Sequence, residues 1–514
     1  MTVQAPPGTV VSRPAGPSRP PTRGLEPVTR AVWVVAGLFV ALELAVSARY
    51  GLHRDELYFL ACARHLAWGY VDQPPLVPAL AWVQVHAFGT SAPALRVVPA
   101  LAGGAAVVFS GLMARELGGA RRAQTLAALA AATSPQVLGA CHLLSTAAID
   151  QFFWAAITLV VLRILRTEDH RLWPLVGLLF GLGLLNKWNI AFLAVGLVVG
   201  LLATGRARMF GSSGPWLAGA VALLLWVPNL VWNAGHDWAE VSMLHSLHQE
   251  NGSLGNVLSF IPAQLVVVGP VLIVLWIAGL RWLLRSTTAR PVGVTYLFLL
   301  AVFTVTGAKP YYLAGMYFVL FAAGGVWAER RLLDKVPPKG LRGWTALLVA
   351  GAVVALPLTL PVIPESWLPT GSWESSINKD LSATVGWQQF VDQVAQISHG
   401  LSPSERRHLV VFTGDYGAAG AIDLWGPSVG LPHAISGHNS YWWWGPAGAR
   451  NGATAIAVDL PRSYLQTIYA QVLPAGAVAT PGNVWSEERD DPIWICRGQR
   501  TTWAAAWPSA KHYG

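Results

Sequence analysis

The residues best suited to chemistry gather early in the chain, in Tyr50-Gly51-Leu52-His53-Arg54-Asp55-Glu56-Leu57-Tyr58-Phe59-Leu60 and then Trp68-Gly69-Tyr70-Val71-Asp72-Gln73-Pro74-Pro75-Leu76. Two adjacent carboxylates, Asp55 and Glu56, follow a histidine and an arginine. A carboxylate within hydrogen-bond reach of a hydroxyl acts as a general base, and fixed cations stabilise negative charge that develops on a departing group. Further cations stand at Lys187, in Leu185-Asn186-Lys187, and at Lys309, before Pro310-Tyr311-Tyr312. Each has a plainer reading. Asp55 can cap the helix that starts here, and Glu56 can shape the site without reacting. His53 and Arg54 can be interfacial charges, and Lys187 and Lys309 can snorkel from helix ends toward water. Asp150 can mark the aqueous start of a helix or take part in acceptor or metal binding.

The elements that position these residues are set by composition. The chain is 54% hydrophobic and 12% charged, about half the charged fraction usual in soluble domains. Its apolar residues fall in long runs, which predict about eleven membrane segments near 31–48, 94–113, 123–141, 149–165, 173–185, 189–204, 215–232, 257–280, 292–307, 311–328 and 344–363. The run from Trp173 to Ala203 is too long for one span and is broken at Asn186-Lys187-Trp188, so it reads as two short helices meeting at the outer surface, with Lys187 facing a cavity. Glu43, inside the first span, reads as a polar residue facing the bundle.

The net charge of +9 reflects topology and excludes nucleic acid, because the basic residues sit in small clusters between apolar runs. The clusters are Arg13, Arg19, Arg23 and Arg30; Arg115, Arg121 and Arg122; Arg163, Arg166 and Arg171; Arg206 and Arg208; Arg281, Arg285 and Arg290; and Arg330, Arg331, Lys335, Lys339 and Arg342. All fall in alternate loops, which places the N-terminus in the cytoplasm and residues 364–514 outside. Residues 1–30 read as a disordered cytoplasmic tail, residues 31–363 as the membrane domain, and residues 49–92 as a long first external loop.

In that loop, Phe59, Cys62, Ala63, Leu66 and Ala67 share one helical face, which predicts an amphipathic helix at the outer interface anchored by Trp68 and Tyr70. Pro74-Pro75 stops it. The outer segment predicts a small α/β domain, with strands at His408–Phe412, Ala455–Val458 and Ile493–Cys496 and helices at Ala418–Leu424 and Arg462–Val472. Cys62, Cys141 and Cys496 form neither a metal motif nor a disulfide framework.

With these motifs in place, the chain resembles the polyprenyl-phosphate-sugar-dependent glycosyltransferases of the C-type membrane superfamily, which includes protein O-mannosyltransferases and the lipid A aminoarabinose transferase. The resemblance rests on Asp55-Glu56 after the first span, Gly69-Tyr70 through Pro74-Pro75-Leu76, Asp150, and Leu185-Asn186-Lys187. Motifs carry it over roughly the first 200 residues, and topology alone carries the remainder. It implies a polytopic α-helical fold and an inverting hexosyl or pentosyl transfer. The donor would be a polyprenyl-phosphate sugar, the acceptor a hydroxyl of an envelope glycan, lipid or protein, and the location a bacterial plasma membrane. By resemblance Asp55 takes the role of base, with Glu56 beside it. The lipid A branch has lysine before Pro-Pro; here Gln73 stands there, so no phosphate contact passes to that position and a lipid A substrate is less expected.

A sugar on a polyprenyl phosphate already carries a good leaving group, so the acceptor hydroxyl needs a base and the phosphate needs cations. Lys187, Lys309, Arg54 and His53 are the candidates for the phosphate. No metal ion is required, although a divalent ion is compatible. In the outer segment, Thr413-Gly414-Asp415-Tyr416-Gly417 is a turn of the kind that binds anions, and Trp442, Trp443 and Trp444 can stack on sugars or pack the domain at the interface. Two other classes fit the composition: a transporter or lipid flippase, and an envelope scaffold whose outer domain is the working part.

Overall fold

The computed structural model describes residues 25–251, 254–332, 339–371 and 379–514. Residues 1–24 and 333–338, which include Arg13, Arg19, Arg23 and Lys335 of the basic clusters, lie outside the described residues. The chain is mostly helical. In the first part, α1 (Arg30–Val46) leads to α2 (Arg54–Arg64) and α3 (Leu76–Phe88) in the first loop, and α4 (Ala92–Glu116), α5 (Arg121–Ala132), α6 (Pro135–His142) and α7 (Thr146–Thr167) follow. Then come α8 (Trp173–Leu184), α9 (Ile190–Ala203), α10 (Ser213–Ala234), α11 (Ala239–Asn251), α12 (Leu254–Val268), α13 (Ile273–Arg285), α14 (Arg290–Val305), α15 (Tyr317–Arg331) and α16 (Lys339–Thr359).

Among the described residues, α4, α7, α10 and the run Pro310–Arg331 are each long and apolar enough to cross a bilayer, and five apolar helices are shorter. Leu224, Val266, Val305 and Val354 are more than 70% exposed, and so many bare aliphatic side chains are stable only against hydrocarbon. This is an integral membrane protein. At its centre α15 is buried without a gap from Tyr317 to Val326. It meets α13 backbone to backbone: a Cβ at Gly279 would lie 2.0 Å from the Leu320 carbonyl oxygen, and one at Gly324 would lie 2.3 Å from that of Leu275.

Several expected segments differ in detail. The stretch 123–141 is two helices, because Pro135 holds Ser134 in extended geometry (ψ 125°). The stretch 257–280 breaks at Gly269 (φ 92°) and Pro270, and its halves meet at 91°; glycine alone adopts that φ without strain. Helix α2 is not amphipathic. Glu56 through Ala63 are all buried, because the bundle lies on one side and the C-terminal domain on the other, where Gly420 sits against the Leu57 backbone. Tyr70 is buried as well, its hydroxyl bonded to the backbone at Cys62, His65 and Ala67, so Trp68 alone of the two expected anchors is exposed.

The basic loops meet at one end of the bundle. Arg115 donates to the Glu26 carbonyl, Arg163 and Arg166 pair with Glu116, Arg330 reaches the Gly118 carbonyl, and Arg206 reaches that of Thr287. At the other end Arg49 and Tyr50 bond to the carbonyls of Val362 and Ile363, and Gly51 N donates to Thr384 O.

The C-terminal domain follows at that second end. It comprises α17 (Trp387–His399), β1 (Val410–Thr413), α18 (Tyr416–Trp425), β2 (Ala434–Ser436), α19 (Ser440–Trp444), β3 (Ala455–Val458), α20 (Arg462–Ile468), β4 (Tyr469–Ala477), β5 (Pro492–Gln499) and α21 (Trp503–Ala510). The sheet order is β2-β1-β3-β5-β4, with the first three strands parallel and the last two antiparallel. The helix expected over 462–472 ends at Ile468, and Tyr469 opens an edge strand, where Pro474 removes no interior ladder bond. All three cysteines are buried and free.

Where β1 and β3 end, Asp415 and Asp459 meet Glu488 and Asp491 around a small cleft. Burial, and then the neighbouring carboxylates, push Asp459 up to about 6 and Asp491 up to about 8. An acid whose folded value is raised binds its proton more tightly in the folded state, so stability falls as pH rises from about 4 through about 8. Thermal unfolding of the full chain in detergent is expected to shift down by a few degrees between pH 6 and pH 8.5. Asp491→Asn should remove a clear part of that shift, and an unchanged slope would contradict this account.

Candidate active site

The first loop is held by one buried ion pair. Arg96, near the start of α4, reaches Glu56 with both sides of its fork, Nε to Oε1 at 3.2 Å and Nη2 to Oε2 at 2.9 Å. It also donates to the carbonyls of Ser47 and Gly51, both at 2.8 Å. Glu56 accepts in addition from His53 N at 2.9 Å and Leu144 N at 3.1 Å. The Glu56 side chain is fully buried, carries four hydrogen bonds and does not line the cavity described below, so it is a structural residue. Behind it Glu43 faces the bundle and pairs with His142 at 3.2 Å.

Asp55 is not the cap of α2. His53 is: its Nδ1 accepts from Asp55 N at 3.1 Å, while Glu56 closes a capping box on His53 N. Relieved of that duty, the Asp55 side chain is 38% exposed and opens into the cavity. Its Oδ1 accepts from the Tyr416 hydroxyl at 2.8 Å. Tyr416 belongs to α18, and burial beside Asp55 pushes its phenol well above the usual range, so it remains a donor.

The cavity has a volume of about 1530 Å³. One part is apolar, lined by Leu265, Val266, Leu272, Leu347, Val354 and Leu358. The other brings together Asp55, Asp72, Glu240, Lys187, Lys309 and Asp380. The Lys187 ammonium lies over the rings of Tyr311 and Tyr312, at 5.2 Å and 4.7 Å from their centroids. Burial pushes Asp72 up to about 6 and Glu240 up to about 8.

The other residues singled out in the sequence divide. His53 and Arg54 reach the cavity wall, but His53 is committed as a cap and Arg54 pairs with Glu487 across the domain junction, with Glu488 at 4.0 Å. Asp150 lies behind the wall, bonded to Trp154 Nε1 at 3.0 Å and near enough to Lys187 for their charges to act on each other. Among the described residues no cluster of three or more His, Cys, Asp or Glu is placed to hold a metal ion, which leaves Asp150 without partners for one. The turn at Gly414 is no anion site, because the Asp415 carboxylate fills the start of α18, accepting from Gly417 N and Ala418 N.

The tryptophans pack and do not line the cavity. Trp442 and Trp507 exchange ring N–H bonds to each other's carbonyls, Trp443 donates to Tyr513, and Trp444 stacks on His65 at 4.4 Å. Their neighbours include α2, the α10–α11 corner and the domain's own C-terminus. Sequence reasoning missed Tyr416, Asp72 and Glu240 as cavity residues. The first two lie in motifs already noted; Glu240 had no local signal, because its depth comes from Asn229 and Asn233, one turn apart on α10.

The cavity thus joins an apolar part to a carboxylate and two lysines. Residues 72–232 match the family described as dolichyl-phosphate-mannose-protein mannosyltransferase. Lipid A galacturonosyltransferase RgtD of Rhizobium johnstonii is 29% identical over 329 residues, 62% of this chain and 68% of that protein. The lipopolysaccharide core galacturonosyltransferase RgtB of the same organism is 29% identical over 210 residues, 39% of this chain and 42% of that one. ArnT from Cupriavidus metallidurans has the same fold: its structure bound to undecaprenyl phosphate superposes with a TM-score of 0.62 at 18% identity, covering 91% of this chain and 98% of that one. The chain is thus similar in sequence to membrane glycosyltransferases and shares the fold of ArnT.

Because Glu56 is the carboxylate that pairs directly with Arg96 among the described residues, Glu56→Gln is expected to cost about 3–5 kcal/mol. The check is a lower melting temperature and a lower yield of folded protein, with no selective loss of turnover in the fraction that folds.

Proposed function

We propose that the enzyme transfers one sugar, with inversion, from a polyprenyl phosphate to a hydroxyl of an envelope glycolipid at the outer face of the membrane. The observation that carries this is the composition of one cavity: an apolar part able to hold a polyprenyl tail opens onto Asp55, Lys187 and Lys309. At about 1530 Å³ it exceeds the roughly 300–1,000 Å³ of an ordinary small-molecule pocket. The names of the relatives support a lipid A or lipopolysaccharide-like acceptor, and the bound ligand of ArnT supports a polyprenyl-phosphate carrier.

In this reading Lys187 and Lys309 hold the phosphate. Asp55 takes the proton of the acceptor hydroxyl as the acceptor oxygen bonds to the anomeric carbon and the bond from that carbon to the phosphate oxygen breaks. The electron pair of that bond leaves with the phosphate, whose charge the lysines stabilise. Tyr416 occupies Asp55 Oδ1 and so orients the carboxylate, which gives the C-terminal domain, residues 364–514, a part in the site built by residues 31–363. The eleven crossings, a cytoplasmic N-terminus and an outer C-terminal domain belong to the same proposal; the gathering of basic loops at the end of the bundle away from the cavity mouth supports them.

A general base contributes typically 10²- to 10⁴-fold to rate. Asp55→Asn is therefore expected to lose about that much transfer activity while folding normally, since His53, not Asp55, caps α2. Tyr416→Phe should lower turnover by about tenfold, as expected for loss of one hydrogen bond to a charged group, with donor binding little changed. Asp55→Asn turning over at the wild-type rate would rule out the base. Orientation is checked separately: in intact cells a membrane-impermeant thiol reagent should label a cysteine added after Gly514 and should not label Arg208→Cys. Labelling in the reverse pattern would place the site on the inner face.

A further inference from the structure

Beside Asp55, the polar part of the cavity is bordered by Asp72, Gln73, Glu240 and Asn439. Val71 packs against Ala239 and Met243, which brings Asp72 and Glu240 to neighbouring places on the wall. Asp72 Oδ1 accepts from the Tyr58 hydroxyl at 2.9 Å, and Glu240 Oε1 accepts from the Asn229 and Asn233 amides at 2.8 Å and 3.0 Å. Neither carboxylate is paired with a lysine or arginine among the described residues.

Gln73 is 2% exposed, yet neither atom of its side-chain amide has a hydrogen-bond partner, and Asn439, 1% exposed, has an unpartnered Oδ1. Buried amides left without partners are costly, and here both face a cavity large enough to supply them from a ligand. The cations of the cavity are few. Arg54 is paired with Glu487 and His53 spends Nδ1 on its cap, which leaves Lys187 and Lys309, both engaged by the phosphate in the reading above.

We propose that Asp72, Gln73, Glu240 and Asn439 form the compartment for the donor sugar, and that it takes an uncharged, hydroxyl-rich sugar and rejects a uronic acid. This rests on the polyprenyl-phosphate donor reading and separates the chain from its relatives named as galacturonosyltransferases. Sugar hydroxyls donate to the carboxylates and to Asn439 Oδ1, and the Gln73 amide donates to a sugar oxygen. A sugar carboxylate would face Asp72 and Glu240 with no lysine or arginine beside them among the described residues, and His438, whose charge acts on Asp72, is itself 3.5 Å from Asp415; like charges brought together in a desolvated site discriminate strongly.

The test uses the purified full chain in nanodiscs at pH 8.5, where Asp72 and most of Glu240 are ionised. Three probes share one lipid: the bare polyprenyl phosphate, its hexosyl ester and its hexuronosyl ester. The hexosyl donor is expected to bind about tenfold or more tightly than the hexuronosyl donor. Asp72→Asn and Glu240→Gln should each narrow the gap by strengthening hexuronosyl binding, with affinity for the bare lipid unchanged. A hexuronosyl donor that binds as well as the hexosyl donor overturns the proposal while the carrier reading stands. If the bare lipid does not bind at all, the carrier reading itself fails.

Discussion

The buried pair of Glu56 and Arg96 sets the geometry on which the rest of the site depends. Placing two charges where neither reaches water is expensive, and only complete satisfaction of their hydrogen bonds offsets that cost. Here it is met from four segments at once: the end of α1 through Ser47, the loop at Gly51 and His53, the start of α4 through Arg96, and Leu144 just before α7. The pair therefore ties the first loop to three helices. With Glu56 pinned inward, the start of α2 has one orientation, and the adjacent carboxylate, Asp55, points to the cavity.

A second consequence concerns the two acidic residues themselves. Adjacent side chains at the start of a helix are about 100° apart around its axis, so both cannot share one environment. The structure uses that difference to divide their work. One carboxylate is saturated and buried. The other keeps an oxygen that no described residue hydrogen-bonds and lines the same cavity as Lys187 and Lys309. His53 frees Asp55 from capping, a duty that would have drawn its oxygens onto backbone N–H groups.

The C-terminal domain is part of this arrangement and not an appendage. Its α18 packs on α2 through Gly420 and Leu57, its Tyr416 holds Asp55, and its Glu487 balances Arg54. The hydrophobic core runs without interruption from the bundle through α2 into α18. A displacement of the domain would therefore alter the environment of Asp55 directly.

Membrane character was legible in the sequence because it is an average: dozens of apolar residues report the same solvent, and errors at single positions cancel. The long helices, the small C-terminal sheet and the cavity-facing place of Lys187 followed from patterns within a few tens of residues. What only the tertiary structure decided involves partners distant in sequence. Glu56 could not be separated from Asp55 without Arg96, 40 residues away, and Tyr416 meets Asp55 across 361 residues. The burial of α2 and the packing role of Trp442 to Trp444 depend likewise on what lies opposite. Local sequence specifies which residues can form a helix or carry a charge; whether a charge is spent on structure or left for chemistry is settled by the groups that folding brings within about 3 Å of it.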